Sequence, residues 1–187
     1  MLDDDHLFTS FFSGEAQAFL QQAIAAALSE DGPDITTLAI FDDLRTISAE
    51  ITAKEHAVVA GLPIVPLILE MTEETLNAPP LAAWEWKALV DEGDKIDPGM
   101  IIGELYGPAR LILRAERVIL NFLTHLSGIA SLTAQYAHKL EGTGVTLLDT
   151  RKTLPGLRYP EKYAVLVGGG SNHRKDLAEI LMLKDNH

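Results

Sequence analysis

Apolar residues along this chain change their spacing several times, and each change predicts an element. Over Gly14–Leu28, the residues Phe19, Leu20, Ala23, Ile24, Ala27 and Leu28 recur at helical spacing, which predicts a helix with one buried stripe. Glu30–Thr37 is rich in turn-forming residues and reads as a loop. Thr46–Ala60 alternates, with Ile47, Ala49, Ile51 and Ala53 on one face, so it reads as β structure. Lys54-Glu55-His56 interrupts it at a turn or sheet edge, and His56 reads as a surface residue. Ile64–Leu76 returns to a helical period through Val65, Ile68, Leu69 and Leu76, and Pro79-Pro80 breaks the pattern. Trp84–Val90 and Met100–Tyr106 read as strands, separated by turns at 91–95 and 97–99 and closed by Gly107-Pro108. Trp84 and Trp86 lie two apart and share one strand face, where core packing is expected.

The longest periodic stretch is Ala115–Leu140, with Val118, Phe122, Leu126, Ile129, Tyr136 and Leu140 as its stripe. Ser127-Gly128 in its middle weakens a helix, so close packing or a kink is expected there. Beyond Glu141-Gly142-Thr143-Gly144, two short apolar runs, Val145–Leu148 and Ile180–Leu183, read as buried strands.

Charge divides the chain unevenly. Residues 1–109 hold 4 Lys/Arg against 20 Asp/Glu, a net of −16, whereas residues 110–187 hold 11 against 7, a net of +4. The sign changes near Leu111–Arg114, which predicts a domain 1–113 and a second part 114–187. The acidic half would repel nucleic acid and anionic membrane, so neither is expected as a partner. There is no cysteine, which excludes disulfides, thiolate catalysis and cysteine-held zinc. The six histidines have no helical metal-ligand spacing, although carboxylate and phosphate could still hold magnesium. The start, Met1-Leu2-Asp3-Asp4-Asp5, is the opposite of a secretory signal. The apolar run near Ala57–Leu69 is broken by Gly61, Pro63 and Pro66 and is too short for a bilayer. A cytoplasmic location is expected.

The basic charge of the second part concentrates in loops after the two apolar runs. Asp149-Thr150-Arg151-Lys152 follows the first, and Lys184-Asp185-Asn186 follows the second. His173-Arg174 lies between them, after the triplet Gly168-Gly169-Gly170. Polar groups after parallel strands are where α/β folds bind ligands, and arginine forks match carboxylate and phosphate. A small anionic ligand is therefore expected. The triplet lacks the lysine of a nucleotide phosphate loop, so it either lets backbone approach a ligand or forms a turn. His173 either orients a carboxylate or serves as a structural hydrogen bonder. Arg110, Arg114, Arg158 and Lys175 read more simply as surface ion-pairing groups.

Several strings of this sequence closely resemble the quinolinate phosphoribosyltransferase family, also called nicotinate-nucleotide pyrophosphorylase (carboxylating). They are Asp-Thr-Arg-Lys-Thr-Leu-Pro-Gly-Leu-Arg (149–158), Glu-Lys-Tyr-Ala-Val (161–165), Gly-Gly-Gly-Ser-Asn-His-Arg (168–174) and Lys-Asp-Asn-His (184–187). The residues Glu116-Arg117, Leu120-Asn121-Phe122 and Ser127-Gly128-Ile129-Ala130 also match, and Asp34-Ile35-Thr36-Thr37 does so weakly. The resemblance implies an α/β fold. An N-terminal α+β sandwich-like domain would be followed by the first part of a TIM-like α/β barrel, incomplete in this chain. A closed barrel takes ~200 residues or more, and family members continue beyond the Lys-Asp-Asn-His string. The 187-residue form is therefore expected to be an inactive piece of a longer enzyme.

The activity implied is phosphoribosyl transfer from phosphoribosyl pyrophosphate to quinolinate with decarboxylation. Its products would be nicotinate mononucleotide, carbon dioxide and pyrophosphate, a step of NAD biosynthesis. By resemblance, Arg117, Arg151 and Arg174 would hold the two carboxylates, with Arg117 reaching in from a neighbouring subunit of a homodimer. Lys152 and Lys184 would face the phosphoribosyl pyrophosphate or the carboxylate that is lost, and Thr150 and His173 would complete the site. Mg2+ would accompany the phosphoribosyl pyrophosphate. Two carboxylate clamps favour quinolinate over nicotinate. The alternatives are a related phosphoribosyltransferase-like protein with another substrate and a non-catalytic anion-binding fragment.

Overall fold

The structure, a computed structural model, describes residues 4–76, 82–183 and 185 of the chain. Helix α1 (Asp4–Phe11) and helix α2 (Glu15–Asp31) open it. The expected stripe of α2 is buried at Leu20, Ile24 and Leu28, whereas Phe19 is partly exposed and stacks on Tyr159 at 5.1 Å between ring centroids. The segment expected as a loop to Thr37 is only partly one. Asp34 caps a short helix, α3 (Ile35–Ile40), by accepting the Thr37 N–H at 2.9 Å. Six residues are too few for a periodic pattern, and capping decides their conformation.

Strand β1 (Thr46–Thr52) and the short β2 (Ala57–Val58) flank the interruption expected at 54–56. Helix α4 (Ile64–Glu74) buries Val65, Ile68 and Leu69 as its pattern requires. The Pro79-Pro80 break lies outside the described residues. Strands β3 (Glu85–Ala88), β4 (Lys95–Ile96) and β5 (Ile101–Pro108) follow, and β1-β5-β3 form an antiparallel sheet while β2 pairs with β4. Both tryptophans pack against the core. A Cβ on Gly103 would lie 2.0 Å from the Trp86 ring, so only glycine fits beneath it.

Helix α5 (Ala109–Leu140) begins six residues earlier than its pattern predicts and runs unbroken through the expected boundary at 113/114. The expected kink at Ser127-Gly128 is absent. Ser127 Oγ accepts the Ala60 N–H at 3.0 Å, and Ser131 Oγ accepts the Val58 N–H at 2.8 Å. The hydroxyls thus satisfy the outer edge of β2, and the helix stays regular. Close packing is found beside them, where Leu126 and Leu123 meet Gly61.

After α5 the two apolar runs expected as barrel strands are largely unformed. Leu148 and Ser171 make one parallel bridge, and residues 180–183 form no strand. Val145 and Leu148 are exposed, and so are Ile180, Leu181 and Leu183. A parallel strand needs partners along both edges and a covering layer, and among the described residues neither run has them. Between Leu148 and Ser171 lies helix α6 (Arg158–Val167), which packs on α5. Tyr163 of α6 is fully buried among Phe8, Phe11 and Phe12, with centroids 5.2 to 5.7 Å apart. One hydrophobic cluster therefore extends from Phe11 to Ala164.

Candidate anion-binding site

The parallel bridge at Leu148 and Ser171 sends the chain onward in the same direction from both residues. It is closed by the Ser171 N–H donating to Leu147 O at 2.9 Å and the Asp149 N–H donating to Ser171 O at 3.1 Å. As a result Thr150-Arg151-Lys152 and His173-Arg174 leave from the same end of the bridge. The resemblance places Arg151 and Arg174 in one site, and here one bridge and α6 bring their loops together.

The N-terminal half of α6 holds both loops. Glu161 accepts the Leu154 N–H at 3.3 Å and faces His125 Nε2 at 3.0 Å, which anchors the first loop to α5. Lys162, a fully buried cation, donates to Asp149 Oδ1 at 2.5 Å and to the His173 carbonyl at 2.9 Å. The His173 N–H donates to Asp149 Oδ1 at 2.8 Å. Asn172 Nδ2 donates to Asp149 Oδ2 at 2.7 Å and to the Lys162 carbonyl at 2.9 Å. None of Asp149, Glu161, Lys162 and Asn172 is expected in the site from sequence. The available signal is positional: Lys162 follows Tyr159 by three and precedes Tyr163, so a lysine occupies the buried face of α6.

A cavity of about 140 Å³ opens between the first loop and α6. Thr150, Lys152 and Thr153 line one side, and Ile129, Glu161, Lys162 and Val165 line the other. Lys152 is exposed, and its N–H donates to Thr150 Oγ1 at 3.1 Å. Arg151 is half-buried, and its Nε has no hydrogen-bond partner. Arg151 and Arg158 both act on Asp176. The Ala178 and Glu179 N–H groups, in that order, hold the Asp176 carboxyl below its ordinary value, and the two arginines add to this. Arg158 also donates to the Lys175 carbonyl at 3.3 Å.

His173 Nδ1 accepts the Arg174 N–H at 2.7 Å. Arg174 is buried and donates to the Ile180 carbonyl at 2.6 Å, with Met182 Sδ at 3.6 Å. A carboxylate would have to replace that carbonyl. Gly168 and Gly170 pack closely against protein atoms. A Cβ on Gly168 would lie 2.4 Å from the Ala130 carbonyl, and one on Gly170 would lie 2.7 Å from Val165 Cγ1. Gly169, at φ +83°, makes the turn. The triplet thus packs the end of α6 onto α5.

Arg117 does not join these loops. It is exposed on α5, and its eight-residue separation from His125 amounts to about 12 Å of helix. Lys184 lies outside the described residues. Arg110 and Arg114 share the Arg117 side of α5 and border another cavity of about 580 Å³, beside Asp34, Thr37 and Asp43. Arg110 forms the expected ion pair, with Asp43, and donates to the Phe41 carbonyl at 2.8 Å. Among the described residues, no three His, Asp or Glu side chains are grouped to hold a metal ion. The described part of the chain therefore offers no metal cage.

Two sequence profiles match the chain: "Quinolinate phosphoribosyl transferase, N-terminal domain" over residues 34–127 and the C-terminal domain of the same name over residues 129–187. Their junction falls inside α5. A protein of Nicotiana glauca named quinolinate phosphoribosyltransferase [decarboxylating] 1 is 40% identical over 171 residues, covering 90% of this chain and 46% of that protein. A probable nicotinate-nucleotide pyrophosphorylase [carboxylating] of Bacillus subtilis is 40% identical, covering 82% of this chain and 50% of its own length. The crystal structure of NadC from Streptococcus pyogenes superposes with a TM-score of 0.80 at 41% identity, covering 90% of this chain and 57% of that one. The chain thus spans about half the length of the curated relatives it matches. On both profiles and on the identity sustained across nine-tenths of its length, the chain belongs to the quinolinate phosphoribosyltransferase family.

Proposed function

We propose that the whole protein to which these residues belong transfers a phosphoribosyl group from phosphoribosyl pyrophosphate to quinolinate, with decarboxylation. The observation that carries this reading is the pairing of Arg151-Lys152 with His173-Arg174 at one end of the Leu148–Ser171 bridge. Quinolinate is a pyridine with two adjacent carboxylates, and two neighbouring guanidinium groups match that shape bidentately. Arg151, whose Nε is unpartnered, takes one carboxylate. Arg174 takes the other once it releases the Ile180 carbonyl. Thr150 and Lys152, on the wall of the small cavity, face the phosphoribosyl pyrophosphate side, and His173 supports Arg174 through its ring nitrogen.

In this reaction the pyridine nitrogen attacks the anomeric carbon, and pyrophosphate departs. The ring nitrogen becomes cationic. Loss of the adjacent carboxylate as carbon dioxide leaves its electron pair on the neighbouring ring carbon, where that cation stabilises it. A proton from solvent then forms the C–H bond there. Fixed cations around the ring stabilise the dianion on binding and the charge that moves during transfer. Mg2+ is proposed to arrive with the phosphoribosyl pyrophosphate. Lys184 is proposed to face the phosphate side of the same site. Arg117, exposed on α5, is proposed to complete the carboxylate clamp of a second copy in a homodimer. Among the described residues no helix is long and apolar enough to cross a membrane, and a cytoplasmic location is proposed.

Calorimetric titration with quinolinate tests this reading, with nicotinate as the control. Saturable binding of quinolinate, weak binding of nicotinate and loss of the signal in Arg151→Ala are expected. Equal binding of the two acids, or an unaffected Arg151→Ala variant, would reject the dicarboxylate clamp.

A further inference from the structure

Lys162 and Asp149 border the small cavity and are assigned no substrate contact, yet they place a full ion pair inside the protein. Their side chains are 0% and 7% exposed. Removing two charges from water is costly, and apolar residues of similar volume commonly stabilise a fold as well or better. Stability alone therefore gives a weak reason for the pair. Direction is what an apolar pair could not supply. Asp149 Oδ1 receives both the Lys162 ammonium and the His173 N–H, and Oδ2 receives Asn172 Nδ2. Lys162 donates in addition to the His173 carbonyl. Asp149 stands two residues before Arg151, and His173 stands one before Arg174. The pair thus ties the roots of both basic loops to the N-terminal half of α6.

We propose that Lys162 and Asp149 are positioning residues. Their buried ion pair fixes the separation and orientation of the Arg151 and Arg174 loops, and so selects a ligand whose two carboxylates are adjacent. This rests on the dicarboxylate reading of the site, although the tie between the loops can be measured without any ligand.

The double variant Lys162→Met/Asp149→Leu removes both charges and keeps similar volume. It leaves neither charge buried alone but takes partners from the His173 N–H and carbonyl and from Asn172 Nδ2, so it is expected to stay folded and to melt below the parent temperature. Its quinolinate affinity is expected to fall between about 10- and 100-fold, the usual consequence of loosening a supporting shell. Amide exchange should quicken at residues 149–153 and 171–174 and stay unchanged along residues 118–130 of α5. A folded double variant with parental loop exchange overturns the proposal, whether or not quinolinate binds. Quickened exchange with parental affinity overturns the selection of the ligand by the pair. Failure of a family-length chain carrying these residues to bind quinolinate would instead reject the substrate reading, leaving the exchange comparison to decide the tie. Should the double variant not fold, Asp149→Asn, which keeps the shape and loses the charge, reads the same two quantities.

Discussion

Asp34 illustrates how much one carboxylate does at the start of a short helix. The Thr37 hydroxyl first, then its N–H, hold the Asp34 carboxyl below its ordinary value. Asp34→Ala is expected to cost about 1 kcal/mol, as for other capping residues. A depressed folded-state pKa gives a contribution that is complete above the unfolded value and is lost as pH falls through the folded one. The gap in melting temperature between parent and Asp34→Ala should therefore close on acidification below the carboxylate range, and a constant gap would contradict the cap. The glycines give a second contrast. Gly168→Ala drives a Cβ into the Ala130 carbonyl and is expected to destabilise by about 1–3 kcal/mol. Gly128→Ala meets nothing within 4 Å and is expected to stabilise α5 by up to about 1 kcal/mol. Urea midpoints of the two variants should move in opposite directions. From sequence, Gly128 reads as a place for close packing or a kink, and the triplet at 168–170 as a ligand approach or a turn. A glycine permits a close approach, but its residue type does not say which neighbour arrives.

Long, strongly periodic segments are the ones the sequence renders legible. Helices α2, α4 and α5, with strands β1, β3 and β5, stand within a few residues of their patterns, because a buried stripe or an alternating face determines each. Segments whose state depends on a cap or an aromatic contact, α1 and α3, leave no such signal. The runs at 145–148 and 180–183 carry a strand pattern without the partners a strand requires. Helix α5 also shows chemistry that its pattern hides. Ser127 and Ser131 lie on its packed side, where hydroxyls look out of place, and they complete the hydrogen bonds of Ala60 and Val58. Ser127→Ala or Ser131→Ala would leave a backbone N–H without its acceptor. Each is expected to cost about 1–3 kcal/mol, measurable by denaturant unfolding and visible as faster exchange at Ala60 or Val58.

At the scale of the whole molecule, the charge boundary and the hydrophobic core disagree, and the core governs folding. Electrostatic balance changes sign near residue 110, yet α5 crosses that point and the core extends over both sides. Unfolding followed by fluorescence of Trp84 and Trp86 should therefore coincide with loss of helical circular dichroism in one transition, and two separated transitions would reject a shared core. The basic loops were legible because their residue types and strings are specific, whereas the buried Asp149–Lys162 pair that holds them depends on a fold the string does not spell out. The aromatic contact of α1 with Tyr163 has a temporal consequence. Phe8 and Phe12 leave the ribosome some 150 residues ahead of the tyrosine that covers them. At synthesis rates of about 5–20 residues per second, that interval lasts roughly 8–30 s. Throughout it the nascent chain presents a phenylalanine face without its tyrosine cover, which gives a chaperone that long to bind it.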